Sequence, residues 1–350
     1  MLDYVIITHI PVFYKVNLYN ELAKVLSIHV IFISDDTDEK RAADFNAISS
    51  SNFSYTIIND GGFQNRNVFS SIKKIVSELR CLKFKKLLVG GWDLPEFWIS
   101  VFLTRKKCNA VVVESTIYES KMDRLKKLFK KIFLSRVSSA FCSGSPHVML
   151  LHSLDFKGKI HVTQGVGVIN FSNSVNNIIY EKLKNPVEVP QKFLYVGRLS
   201  HEKGLFFAIN FFKQHPELSF TIVGDGPLRE KLVNAAPINV NLVGAIDNKN
   251  LGEIYLSHDV FLLPSYSETW GLVVEEALHF GLPVICSSMV GCSIELVEKP
   301  GTGVIYIDSN KESLIKAIDV MIDNYKFYVD NVIGFSIEQK NTEQVSKYFL

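Results

Sequence analysis

Nowhere in the sequence do about 18 apolar residues run uninterrupted, and the opening MLDYVIITHIP lacks a charged stretch leading into an apolar core. The expectation is a chain with neither a membrane span nor a cleaved secretory leader. Cysteine is scarce: Cys81, Cys108, Cys142, Cys286 and Cys292 are the only five, and none forms a C-x-x-C or joins a Cys/His cluster. That excludes a disulfide framework and argues against structural zinc, and it suits reduced thiols in a cytosolic compartment. No fixed-period repeat or low-complexity tract is present, which excludes solenoids and disordered arrays. Neither half carries a G-x-G-x-x-G after its first strand-like run, which disfavours a dinucleotide dehydrogenase. The basic residues lack interleaved aromatics on a strand face and match no nucleic-acid motif, which counts against a nucleic-acid-binding module.

What is present is globular: 47% hydrophobic and 21% charged residues over a 350-residue chain, enough for two cores. The net charge of +2 hides an asymmetry. Residues 1–190 carry 25 Lys and Arg against 17 Asp and Glu, whereas residues 191–350 carry 13 against 19. A first half at +8 suits an anionic partner, whether nucleic acid, membrane surface or acidic substrate.

Short β-branched runs alternate with amphipathic stretches, the pattern of parallel sheets covered by helices on both faces. Strands are expected at about 3–8, 28–34, 55–59, 86–90, 109–114, 139–143 and 160–163 in the first half. After a polar, aperiodic stretch over 172–192, read as a linker, they resume at about 193–197, 219–223, 240–243, 260–263, 284–287 and 304–307. The fold class expected is therefore α/β, with two Rossmann-like, doubly wound domains facing a cleft. Ligands bind such sheets beyond the carboxyl ends of the strands.

The residues just after strands accordingly draw attention. In YVGRLSHEKGL, Gly197 permits close backbone approach, and Arg198 and Lys203 put two cations near one strand end, either for a diphosphate or as a surface charge pair. Gly224 opens a tight turn in FTIVGDGPLREKL. The segment PSYSETWGLVVEEALHFGLPVICS sets Glu268 and Glu276 eight residues apart around Gly271, where a helix begins. Both carboxylates suit a polyhydroxylated ligand, and the helix start suits a phosphate; a solvated pair on an ordinary helix is the alternative. Glu275 points about 100° away from Glu276 around such a helix.

VGRLSHEKG, IVGDGPLRE, LLPSYSETWGLVVEEAL and GLPVI, in that order, resemble the nucleotide-binding domain of GT-B glycosyltransferases. The likeness is to retaining family 4 (glycosyl transferases group 1) of the bacterial polysaccharide and lipopolysaccharide type, and it covers about residues 193–307. The resemblance implies that Arg198 and Lys203 hold the donor diphosphate and that Glu276 binds the ribose hydroxyls. It places Glu268 and the backbone of Thr269, Trp270, Gly271 and Leu272 toward the donor sugar and its phosphates, with Gly197 and Gly224 in the donor loops. It further implies a metal-independent hexosyltransferase with no cofactor beyond its nucleotide-sugar substrate, UDP being preferred and GDP the main rival. The acceptor implied is a glycan or lipid-diphosphate in O-antigen, capsule or lipopolysaccharide synthesis, met at the inner face of the cytoplasmic membrane. Asp36-x-Asp38, the one Asp-x-Asp in view, reads as a solvated acidic loop. A nucleotide-sugar epimerase or hydrolase on the same fold is the alternative, followed by a nucleotide-binding module.

The domains expected are 1–171 for the acceptor, the linker 172–192, 193–334 for the nucleotide sugar, and a C-terminal helix over 335–350 crossing back to the first domain. In the first half the resemblance is weaker and partly broken. Thr8-His9-Ile10-Pro11 stands where relatives carry a glycine pair, and Glu114-Ser115-Thr116 where many carry a histidine. Glu114 is therefore assigned either to the donor sugar, among the catalytic residues, or to capping the next helical segment. Gly90-Gly91-Trp92-Asp93 follows a strand, so Trp92 and Asp93, with His9, are assigned to the acceptor side; a core Trp beside a turn Asp is the other reading. Gln164-Gly165-Val166-Gly167 is assigned to the floor of the cleft. Residues 121–137, KMDRLKKLFKKIFLSRV, form a basic amphipathic helix. Lys126, Lys127, Lys130 and Lys131 either face solvent while the apolar stripe packs on the sheet, or dock on anionic lipid.

Overall fold

The structure, a computed structural model, describes residues 1–38, 46–119, 124–171 and 176–349. It divides into two compact units, Met1–Asn170 with Lys340–Leu350, and Phe171–Gln339.

The first unit alternates strands and helices: β1 (Leu2–Thr8), α1 (Phe13–Ala23), β2 (Ile28–Asp36), β3 (Ser54–Gly62), α2 (Val68–Cys81), β4 (Phe84–Val89), α3 (Pro95–Leu103), β5 (Asn109–Val113), α4 (Arg124–Leu134), β6 (Ser139–Cys142), α5 (Ser145–Ser153) and β7 (Lys159–Val162). All seven strands are parallel, in the order β3-β2-β1-β4-β5-β6-β7. Such a sheet is covered on both faces, which is why its strands are apolar on alternate and intervening positions alike. Val5, Ile7, Ile33, Leu87 and Val89 build the core on one face, and Tyr4, Ile6, Val30, Phe32 and Leu88 the core on the other.

The second unit contains α6 (Asn176–Lys184), β8 (Lys192–Val196), α7 (Leu205–Phe212), β9 (Ser219–Val223), α8 (Arg229–Ala235), β10 (Val240–Gly244), α9 (Asn248–Leu256), β11 (Val260–Leu263), α10 (Leu272–His279), β12 (Val284–Ser287), β13 (Gly303–Tyr306), α11 (Lys311–Asp323) and α12 (Tyr325–Ile333). Its six parallel strands run β10-β9-β8-β11-β12-β13. The last helix, α13 (Ile337–Ser346), begins in the second unit and ends in the first. There the Tyr348 ring stacks on Phe141 at 4.5 Å, and its carbonyl accepts the Tyr4 hydroxyl.

Each of the thirteen expected strand runs is a strand. The linker reading is corrected. Residues 172–175 lie outside the described residues, but α6 occupies the middle of the stretch and belongs to the second unit. Its Ile179 is buried, and Lys182 threads its ammonium to the carbonyls of Tyr255 and His258, the C-terminal end of α9. Burial pulls that ammonium down to about 8. Ile179, Leu183 beside Gly281 and the Lys182 stem hold the helix, a contact set too small for a visible periodicity. The Gln164–Gly167 turn packs within the first unit: a side chain at Gly165 would meet Lys340 and Gln344.

Candidate functional site

In both sheets the strand order reverses once, beside the first strand of the unit, and this switch point is where open α/β sheets leave room for a ligand. In the second unit the reversal falls between β8 and β11. The loop after β8 carries Gly197, Arg198 and Lys203, and the loop after β11 carries Glu268 and Gly271. The sequence separates Lys203 and Glu268 by 65 positions; the topology joins them, Lys203 Nζ to Glu268 Oε2 at 2.5 Å, each side chain 17% exposed. Arg198 stands exposed at the same strand end, its carbonyl pinned by the Tyr195 hydroxyl at 2.9 Å. Gly224 has φ +137°, and a Cβ there would run into the carbonyl oxygen of Gly197, so the β8 and β9 loops close only around glycine.

Gly271, at φ +104°, is the left-handed residue from which α10 starts. Before it, the Thr269–Trp270 backbone is tied to the 289–292 loop, with Gly291 N–H donating to Glu268 O and Cys292 N–H to Trp270 O. First-turn amides of a helix lack intrahelical partners, and an anion suits them. The Trp270 indole is buried and donates to Glu275 Oε1 at 2.6 Å, so this residue presents its backbone while its ring braces the helix. Glu275 is fully buried in that pair. Glu276, one position on, is half-buried and accepts the Tyr255 hydroxyl at 2.7 Å. Burial pushes its carboxyl up to about 7, against the lowering effect of the Tyr255 hydrogen bond. Two cations, a helix start and a carboxylate held by one hydroxyl thus share one end of the sheet. A lysine ammonium has three donors, so Lys203 can hold Glu268 and a phosphate together.

In the first unit the reversal lies between β1 and β4, and His9 follows β1 while Asp93 follows β4. His9 Nε2 and Asp93 Oδ2 meet at 2.8 Å. Burial works to raise the Asp93 carboxyl, but the hydrogen bond and charge of His9 outweigh it and hold the group below its ordinary range. A histidine oriented by a carboxylate can take a proton from a hydroxyl. Trp92 is half-buried, its carbonyl accepting the Trp98 indole, with Lys130 Nζ 5.0 Å above its ring. Glu114 pairs with buried Lys15 at 2.8 Å; burial would lower that ammonium, and the Glu114 charge raises it instead.

The basic stretch bears on its two readings unequally. Residues 121–123 lie outside the described residues. Of the apolar stripe Leu125, Leu128, Phe129, Ile132 and Phe133, Phe133 is buried, as is the adjacent Leu134, while the other four are exposed, against the reading that packs the stripe on the sheet. Lys131 pairs with Asp155. Tyr255, the partner of Glu276, was invisible as a site residue because it sits in the unremarkable helix pattern of α9. Among the described residues no group of three or more His, Cys, Asp or Glu is placed to hold a metal ion, and no helix is long and apolar enough to cross a membrane.

Residues 179–333 match the family Glycosyl transferases group 1. Over 103 residues, 29% of this chain and 25% of the relative, the sequence is 41% identical to the putative teichuronic acid biosynthesis glycosyltransferase TuaC of Bacillus subtilis. Over 295 residues, 75% of this chain and 84% of the relative, it is 26% identical to the O-antigen biosynthesis glycosyltransferase WbnH of Escherichia coli. The chain spans less than half the length of the first curated relatives it matches. Among solved structures, HepE of Anabaena in complex with UDP aligns with a TM-score of 0.71 at 13% identity, over 97% of this chain and 98% of that one. The fold is GT-B, and the resemblance of the second-half motifs to glycosyl transferases group 1 is borne out over the matched segment.

Proposed function

We propose that the protein is a retaining glycosyltransferase that moves a sugar from a nucleoside-diphosphate sugar to a glycan or lipid-linked acceptor in cell-surface polysaccharide synthesis. The observation that carries this reading is the Lys203–Glu268 pair beside Arg198 and Glu276 at the β8–β11 switch point, inside the segment that matches the family. Arg198 and Lys203 neutralise the diphosphate, Glu276 accepts the ribose hydroxyls, and Glu268 faces the sugar. When the bond from the anomeric carbon to the phosphate oxygen breaks, positive charge grows on the carbon and negative charge on the departing diphosphate. Cations fixed in advance stabilise that charge without reorganising. The leaving oxygen takes the acceptor hydroxyl proton, and the new carbon–oxygen bond forms on the face the diphosphate left. UDP is the preferred nucleotide, in keeping with the UDP held by HepE. The exposed apolar and basic residues of α4 support peripheral binding to an anionic cytoplasmic membrane face.

One observation favours a second reading. The His9–Asp93 pair has the arrangement of a general base and its orienting carboxylate, which an inverting transfer needs and an internal return does not. The anomeric configuration of the product, read by NMR, decides between them. A thermal-shift panel of UDP, GDP, ADP and their sugars tests the donor assignment: one nucleotide family raises Tm, and a flat panel contradicts it.

A further inference from the structure

Helix α3, PEFWISVFL, carries one charged residue, Glu96, and that residue is fully buried against Arg66. Its inner face, Phe97 and Val101, fills the core. The outer face is equally apolar, and a helix that is apolar all round belongs inside a protein or against a partner. Here it forms one wall of an open groove of about 590 Å³, lined by Ile72 of α2, Leu94, Trp98, Ile99, Phe102 and Phe129 of α4. Asp93, held by His9, closes one end. Trp98 makes the floor rigid, lying parallel to Phe102 at 6.2 Å and edge-on to Phe133 at 5.2 Å. Phe102 and Phe129 remain 44% and 59% exposed, so the groove holds apolar surface that nothing among the described residues covers.

We propose that this groove binds the hydrocarbon chain of a phosphate-bearing acceptor lipid, with the sugar-carrying head at the His9–Asp93 end. Three observations select that occupant. The volume lies in the range of small-molecule sites, about 300 to 1,000 Å³. Apart from Asp93 the lining is apolar, so it suits an alkyl or prenyl chain and not a sugar. Lys130, its ammonium 5.0 Å above the ring of Trp92 next to Asp93, and Lys126, one turn earlier on the same side of α4, bring positive charge to that end, on a unit with net positive charge, which complements the phosphates such a chain carries. The inference rests on the lipid-linked acceptor of the proposed function and assigns its tail to a place.

The test is a series of alkyl phosphates from butyl to dodecyl, below their micelle concentrations, titrated against the full chain by tryptophan fluorescence. Affinity is expected to rise about two- to fourfold per methylene until the groove is full. Phe102→Glu and Phe129→Glu, both at exposed positions, are expected to flatten that dependence. Leu125→Glu with Leu128→Glu, on α4 outside the groove, should leave it unchanged. No chain-length dependence in the parent protein, or a dependence abolished by the Leu125/Leu128 pair and not by the groove variants, overturns the proposal. Nucleotide thermal shifts on the same variants separate the outcomes. Stabilisation by a nucleotide without chain-length dependence removes the groove alone, and chain-length dependence without any nucleotide response removes the transferase reading.

Discussion

Replacing Glu276 by Gln tests the donor site through a charge that the fold already disfavours. Burial holds the carboxyl at about 7 against an ordinary 4.5, so ionising it in the folded chain costs on the order of 3 kcal/mol, at about 1.4 kcal/mol per pH unit. The folded state binds this proton more tightly than the unfolded chain does. Its contribution to stability is therefore complete below pH 4.5 and is lost as the pH rises toward 7. Ligand binding has the opposite sign. Ribose hydroxyls donate best to an ionised carboxylate, so each pH unit below 7 is expected to weaken binding by up to about tenfold, with a plateau above about pH 8. Isothermal titration of a UDP-sugar from pH 5.5 to 8.5 reads this directly. The sugar ester is the right ligand, because free UDP carries a terminal phosphate that titrates near 6. Glu276→Gln should bind more weakly and lose the slope, while unliganded Tm becomes less dependent on pH. A slope that survives in Glu276→Gln, or a flat profile in the parent protein, refutes the ribose assignment.

Lys203→Met strands the part-buried Glu268 and removes a phosphate donor; transfer should fall about a hundredfold or more, read as kcat/KM for the donor, and unchanged kinetics would remove Lys203 from the site. Gly224→Ala places a Cβ against the Gly197 carbonyl at φ +137°, so a loss of about 2 kcal/mol or more is expected in chemical denaturation, and wild-type stability would contradict the close approach. Exchanging Lys126, Lys127, Lys130 and Lys131 for Glu should abolish co-sedimentation with anionic vesicles while nucleotide binding persists; undiminished sedimentation argues for a solvated lysine face.

The strands were legible because parallel strands buried on both faces read as unbroken apolar runs, Val260–Leu263 and Val284–Ser287 among them. Helix α6 was not, since its asparagines mask the few groups that attach it, Ile179, Leu183 and the Lys182 stem. Lys203 and Glu268 were each recognisable at a strand end, but their ion pair depends on β8 lying beside β11, a fact of topology that local sequence does not carry. His9 and Asp93 follow the same rule through β1 and β4. The α4 stripe admits two readings from sequence for a different reason. Helical periodicity shows that Leu125, Leu128, Phe129 and Ile132 share a face, but not whether that face turns inward or outward. The run from Phe97 to Thr104 without a charge was the available signal for the groove, because a surface helix with no polar face needs a partner.

Sugar transfer is the central claim, and labelled donors test it most directly. The protein is incubated with bacterial membrane lipid and each of a panel of radiolabelled UDP- and GDP-sugars, and the label in the organic phase is counted. The account predicts label from one nucleotide family, absent with Lys203→Met and strongly reduced with Glu276→Gln. Label from no donor, or label that both variants transfer undiminished, contradicts it.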